Sequence, residues 1–410
     1  MLEKMELHGV EPNTRTYELI ITYYLEGGNF EVALCRLAEM NDLGLSPSLK
    51  VAHLLIDSAI EIGHIQLALD LAEAYERTTV RRIDSDAWVR LLVGCAEHLY
   101  ADGVQRCWDK VVGELKILLD EGLYLAVLHT ASRHGMPTLA ANAIQQLELL
   151  GVKFREYHLT PLLDSFVNNS QFKEAVRVLD LMRSSGVTPT MDTVTTMVQF
   201  IRRDPESVDA AYEALEELRQ EGQTIDVVAA NVIIEASREL NDLQRAVGTY
   251  KALPNLDVKP NLDTFNILLS ACRQVKHLEL GERLFAELQA EGLHPNAETY
   301  TTYIELILSQ ADYENAFFFL EEMKSKDFKP PYSVYEAIVK KCVSVGDSRY
   351  KLAVEELEQL RYQVSSGLQS FISSGGKEWK EVLSDDEMLP LATRKRLGQA
   401  YERAAIEPGA

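Results

Sequence analysis

A chain of 410 residues with 46% hydrophobic content has room for two or three ordinary domains and enough apolar material to bury their cores. It contains no run of about 18 apolar residues, so no transmembrane helix is expected. The formal net charge of −22 works against the basic face that phosphate binding wants, although outer charges are screened over about 8 Å at physiological salt and leave a local groove its own field.

The chain opens on MLEKMELHGVEPN (residues 1–13). This has the form of endings found further on, so it reads as the second half of a repeat and not as a signal or transit peptide. From there one small residue marks a period of about 35: Ala33, Ala68, Ala140, Ala175, Ala211, Ala246, Gly281 and Ala316. A glycine column (Gly9, Gly44, Gly151, Gly186, Gly222, Gly292) and a proline column (Pro12, Pro47, Pro189, Pro260, Pro295, Pro330) keep the same phase. Repeats of this length are stacked supersecondary units, which puts function on an extended surface.

Each unit reads as two helices. In residues 262–296, Phe265, Leu268, Leu269 and Cys272 make one apolar face of a first helix. Lys276 and His277 make the turn, and Leu280, Leu284, Phe285 and Leu288 face inward on a second helix. Gly292 suits a left-handed helix end, and Pro295 stops any continuation. Gly281 is placed where two helices cross closely. The template fits 14–48, 49–83, about 85–120, 121–155, 156–190, 191–226, 227–261, 262–296 and 297–331, with a degraded copy from Tyr332 to about Ser366. The unit 191–226 has one extra residue, expected in the turn Arg202-Arg203-Asp204-Pro205. The units between 49 and 120 lack the Gly-x-x-Pro ending, so a distortion is expected near Tyr100-Ala101-Asp102-Gly103. The resulting division is a partial repeat (1–13), a repeat region (14–366), and a C-terminal cap or disordered tail (367–410) with a helix expected over Leu389 to Ala405.

The unit length, the endings Val-Glu-Pro-Asn, Val-Thr-Pro-Thr, Val-Lys-Pro-Asn and Leu-His-Pro-Asn, and the segments TFNILL (264–269), TYTTYI (299–304) and AFFFLEEM (316–323) resemble the pentatricopeptide repeat. The tetratricopeptide repeat, with a period of 34 and a Trp-x-x-Leu-Gly signature, does not match. The resemblance covers roughly residues 1–366. It implies an all-α, right-handed solenoid of about ten helix-turn-helix units. It also implies a non-catalytic protein that binds single-stranded RNA in an organelle, above all the mitochondrion, with no cofactor.

The resemblance further implies a code: the fifth residue of the first helix and the last residue of the unit read one base together. Three consecutive units carry usable pairs: Thr195 with Asp226, Asn231 with Asn261, and Asn266 with Asn296. By resemblance they read G, pyrimidine and pyrimidine over residues 191–296, with cytosine preferred to uracil. Thr160 and Thr301 keep only the first residue of a pair, beside Thr190 and Pro331. Glu18 with Ser48, His53 with Ile83, Val89 with Asp120 and Leu125 with Arg155 depart from the pattern. The net charge keeps a scaffold for basic protein partners open as the alternative.

Other chemistry finds little footing. Tyr17, Trp88, Tyr124, Phe265, Tyr300 and Tyr335 form an aromatic column on the apolar face and read as core. Arg81-Arg82, Arg202-Arg203 and Lys340-Lys341 are candidate phosphate contacts. His277-Leu278-Glu279 lacks the Cys-x-x-Cys half of a zinc deaminase site. The five cysteines (Cys35, Cys95, Cys107, Cys272, Cys342) include no Cys-x-x-Cys pair and read as reduced thiols. Cys95, His98 and Cys107, with His129 or His134, have no standard zinc spacing, so no metal is expected.

Overall fold

The computed structural model describes Met5, residues 7–9 and residues 11–376. Among these, every regular element is helical, with 21 α-helices. The chain forms two compact units, Met1–Val232 and Ile233–Ala410.

The first unit is built of consecutive helix pairs. They are α1 (Thr14–Glu26) with α2 (Phe30–Asp42), α3 (Leu49–Glu61) with α4 (Ile65–Thr78), and α5 (Ser85–Glu97) with α6 (Ala101–Trp108). Then follow α7 (Glu121–Arg133) with α8 (Pro137–Leu149), α9 (Glu156–Asn168) with α10 (Phe172–Ser184), and α11 (Thr195–Ile201) with α12 (Pro205–Gln220). Helix α13 (Val227–Glu239) runs across the boundary between the units. The second unit continues with α14 (Leu243–Ala252), then α15 (Leu262–Val275) with α16 (Leu278–Ala290), α17 (Ala297–Leu308) with α18 (Glu314–Ser325), and α19 (Tyr332–Val345) with α20 (Tyr350–Gln359). The first helix of each pair, here the A helix, packs on the A helix of the next pair within each unit. That stacking makes each unit a solenoid: every pair contributes one face to its neighbour and buries little by itself. A last helix, α21 (Ser366–Ser373), packs on α19 and buries Leu368 and Phe371. The helix expected over Leu389 to Ala405 lies outside the described residues.

The columns in the sequence have local causes. Gly292, at φ +75°, ends α16: its N–H donates to Gln289 O at 3.1 Å and the Leu293 N–H to Leu288 O at 3.2 Å. Those two bonds satisfy carbonyls that the helix end would leave open, and the left-handed residue between them is easiest as glycine. The aromatic column is core: Tyr124, Phe265, Tyr300 and Tyr335 are wholly buried, and Tyr17 and Trp88 nearly so. Gly281 does sit at a crossing, but with the next repeat. A Cβ there would stand 2.3 Å from Leu306 Cδ2 of α17, against 3.9 Å from Cys272 of its own partner helix.

Two irregularities fall where the pattern weakens. Helix α6 is only eight residues long and passes into a π-helical segment, Asp109–Glu114. The extra residue of 191–226 is not in the turn. Residues 202–204 form an ordinary three-residue turn, and α12 is lengthened to 16 residues. Asp204 and Pro205 start α12 early. The Asp204 carboxylate accepts from Ser207 N at 2.7 Å, and proline is well suited to the first helical position.

Candidate nucleic-acid interface

At Ser48, Asp120, Arg155, Asn261, Asn296 and Pro331 the last residue of a unit is the N-cap of the next A helix, whereas Asp84 and Val194 hold that place after Ile83 and Thr190. Asn261 Oδ1 accepts from Thr264 N at 3.0 Å, and Asn296 Oδ1 from Thr299 N at 2.8 Å. The threonines reciprocate: Thr264 Oγ1 accepts from Asn261 N at 3.1 Å and Thr299 Oγ1 from Asn296 N at 3.2 Å. These are capping boxes with threonine in the place more often held by Glu or Gln. Asn13 and Asp120 cap α1 and α7 without the reciprocal bond, accepting from Thr16 N at 3.1 Å and Leu123 N at 2.8 Å. The Asn-x-x-Thr spacing carried this signal in the sequence.

In the second unit the fifth and last positions of one repeat meet. Asn266, on α15, is buried. Its Oδ1 accepts from the Thr299 hydroxyl at 2.7 Å, and its Nδ2 donates to Glu298 Oε2 at 3.1 Å. Asn296 Oδ1 lies 2.8 Å from the same hydroxyl. One hydroxyl carries one proton. Asn296 Oδ1 already has the Thr299 N–H, so the hydroxyl proton goes to Asn266. The amide of Asn266 is thus held from both ends, between a donor and a carboxylate. Asn261 belongs to this unit as well, half-buried, with Nδ2 donating to Asp263 Oδ2 at 3.1 Å. Thr301 is half-buried, and its hydroxyl donates back to Ala297 O at 2.7 Å.

The first unit holds the other candidates. Asp226 is almost buried; its Oδ1 accepts from Val228 N at 2.9 Å and from Arg183 Nη2 at 3.0 Å, and Arg183 Nε donates to Oδ2. The carboxylate pushes the Arg183 guanidinium above its ordinary pKa. This ion pair, from a second helix 43 residues upstream, was not legible in the sequence. Thr195 is exposed and is the first residue of α11, because Met191 to Val194 form a turn. Its hydroxyl donates to Asp192 O at 2.9 Å. Thr160 is half-buried and donates to Glu156 O at 2.9 Å. Asn231, on α13, is wholly buried.

Charge on the A helices is mostly compensated locally. Arg90 Nε donates to Asp57 Oδ1 at 3.0 Å, Arg238 Nε to Glu235 Oε2 at 2.7 Å, and Arg273 pairs with Glu305. Lys340 Nζ lies 2.7 Å from Glu336 Oε1, and Lys341 Nζ donates to Gln310 O at 2.6 Å. Of the other basic pairs, Arg82 faces Glu76 at 3.4 Å and Arg203 lies over the Phe200 ring. Burial pushes the Asp164 carboxyl above its ordinary value against hydrogen bonds from Thr196 and Ser132.

Among the described residues no group of three or more His, Cys, Asp or Glu is placed to hold a metal ion. His98 Nδ1 and His134 Nε2 each lie 2.9 Å from a main-chain oxygen, of Gly94 and Leu99. Cys95 and Cys107 are buried. No described helix is long and apolar enough to cross a membrane.

Three family models match along the chain: "Pentatricopeptide repeat domain" at residues 1–56, "Pentatricopeptide repeat-containing protein" at 121–253, and "Pentacotripeptide-repeat region of PRORP" at 223–361. The chain belongs to the pentatricopeptide repeat family. A mitochondrial pentatricopeptide repeat-containing protein of Arabidopsis thaliana is 23% identical over 434 aligned residues, covering 90% of this chain and 69% of that protein. The mitochondrial 15S rRNA processing factor ppr3 of Schizosaccharomyces japonicus is 24% identical, over 52% of this chain and 32% of that protein. Several relatives are thus named mitochondrial. Among solved structures, the pentatricopeptide repeat protein PPR10 in complex with an 18-nt psaJ RNA element is 18% identical. It covers 95% of this chain and 57% of that one, with a TM-score of 0.42.

Proposed function

We propose that this pentatricopeptide repeat chain binds single-stranded RNA on the A-helix faces of its units. It acts there without catalysis, in the mitochondrion, supporting the processing, stability or translation of a transcript or the maturation of the small ribosomal subunit. The observation that carries the reading is the joining of Asn266 and Asn296 through Thr299. The two positions that the family uses as a pair share one hydrogen-bonded cluster at the junction of α15 and α17. An amide fixed in this way presents a defined set of donors and acceptors, which base discrimination requires. The relatives' names, an rRNA processing factor among them, support the organelle and the class of ligand. Residues 14–366 are the binding region in this reading, and residues from 367 onward begin as its cap, since α21 packs on α19.

The ligand to test is a short RNA carrying the triplet G-pyrimidine-pyrimidine. Fluorescence anisotropy with the triplet varied one base at a time should show a preference of about tenfold or more per correct base. Equal affinity for all variants would refute sequence reading. A second reading is favoured by the ion-paired cations on the A helices: a scaffold for a basic protein partner. Crosslinking from cells separates the two, by a defined RNA footprint or by stable protein partners over RNA background.

A further inference from the structure

Glu298 stands at the second position of α17, beside the Asn266–Asn296 cluster, and it is exposed. Its Oε2 accepts from Asn266 Nδ2 at 3.1 Å. Among the described residues no cation pairs with it, unlike Glu305 on the same helix, which pairs with Arg273. Besides the Thr299 N–H, which donates to Asn296 Oδ1, the cluster holds one continuous chain of donors. Asn296 N–H donates to Thr299 Oγ1, the Thr299 hydroxyl to Asn266 Oδ1, and Asn266 Nδ2 to Glu298. The chain of donors therefore ends on a carboxylate with acceptor capacity to spare. One N–H of Asn266 and the Nδ2 group of Asn296 take no part in these bonds. The cluster offers a ligand amide donors next to a charged acceptor.

Resting on the RNA reading above, we propose that Glu298 is a specificity-determining residue that makes repeat 262–296 select cytosine over uracil. The Watson–Crick edge of cytosine has an amino donor at N4 and acceptors at N3 and O2. The amino group donates to Glu298, and the ring acceptors take the asparagine N–H groups. Uracil carries a carbonyl in place of the amino group and an N–H in place of the N3 acceptor. Its O4 would face the carboxylate with no proton between them, and its N3–H would face the amide donors. A site built to accept a hydrogen bond rejects the analogue that lacks the donor more strongly than apolar shape alone does.

The test uses the full chain and two short RNAs that differ only in C or U at the base matched to repeat 262–296, read by fluorescence anisotropy. Wild type should prefer C by about tenfold, the size of one good base contact. Glu298→Gln replaces a pure acceptor by a group that can also donate to uracil O4, so the C/U ratio should fall to about one or below. Replacing the base by N4,N4-dimethylcytosine removes both amino protons and should cost wild type its preference without any change to the protein. Equal C and U affinity in wild type, an unchanged ratio in Glu298→Gln of unaltered melting temperature, or full wild-type preference for the methylated base would overturn the assignment and leave the RNA reading standing. Failure of wild type to bind any of these RNAs would overturn that reading and this inference together.

Discussion

Replacing Thr299 by valine tests the cluster through stability alone, without a ligand. The side chain is wholly buried, and valine preserves its shape. Two hydrogen bonds go. Asn296 N loses the acceptor at 3.2 Å, and the buried Asn266 Oδ1 loses the hydroxyl at 2.7 Å. The first loss costs about 0.5–1 kcal/mol at a partly exposed cap, and the second about 1–3 kcal/mol because a buried acceptor is left unsatisfied. Removing the hydroxyl's own desolvation returns part of this, so the net loss should be about 2 kcal/mol. Urea unfolding read by circular dichroism would measure it. Thr299→Ser, which keeps the hydroxyl, should lose less than half as much. The decisive quantity is the coupling. Asn266→Leu removes the partner, so in the double variant the valine leaves nothing stranded, and the two effects should fall short of additivity by about 1–2 kcal/mol. Strict additivity, or a Thr299→Val cost under about 0.5 kcal/mol, would mean that the bridge between α15 and α17 contributes no energy and that Asn266 is not held by it.

Asn296→Ala should lower stability by about 1 kcal/mol through the lost cap, and Asn296→Asp should restore most of it; thermal melts of the three proteins check this. Gly281→Ala gains about 1 kcal/mol of helix propensity but drives a Cβ into Leu306, where overpacking costs about 1–3 kcal/mol, so the melting temperature should fall. Adding Leu306→Ala should make the glycine replacement neutral or favourable in that background. Arg349 donates to the Asp347 carboxylate and holds its pKa at about 2, below the ordinary 3.8. Because the folded value is depressed, the contribution is present above about pH 4 and is lost as pH falls through 2, so the melting-temperature gap between wild type and Asp347→Asn should narrow across that window.

The helix pairs were legible because each column in the sequence has a local physical cause. Gly292 marks a helix end, Pro295 a stop, and Ala316 and Tyr300 the core. The position of the extra residue in 191–226 departs from the expected turn although the sequence carries the signal: Asp204-Pro205 followed by Ser207 is a helix start, and a start there lengthens α12 and leaves the turn alone. The caps are similarly visible as Asn-x-x-Thr, and the same asparagines occupy the base-reading pattern, so two roles share one position. The burial of Asn231 and Asn266 was not accessible from periodicity. Asn266 stands one residue beyond the apolar stripe of its own helix, and its amide is engaged by Thr299 and Glu298 of the next A helix. The partnership of Arg183 with Asp226 depends likewise on how one pair stacks on the next.

On the proposed RNA reading, local ion pairing bears on how a chain of net charge −22 holds a nucleic-acid ligand. In the second unit Arg238, Arg273 and Lys340 each lie on a carboxylate of the A-helix face, so their charge is spent within the protein. A phosphate arriving there would have to displace an existing partner, and the gain from releasing counterions would be small. On the proposed reading, affinity comes from the bases, through amides such as Asn266 and carboxylates such as Glu298, and little of it from the phosphate backbone. Its mark is a shallow salt dependence. With about two phosphates neutralised, the slope of log K against log salt should be near −1.4, where a protein with eight such contacts would give about −5.6. A steep slope would mean that the ion pairs open on binding and that the A-helix face is a phosphate channel after all.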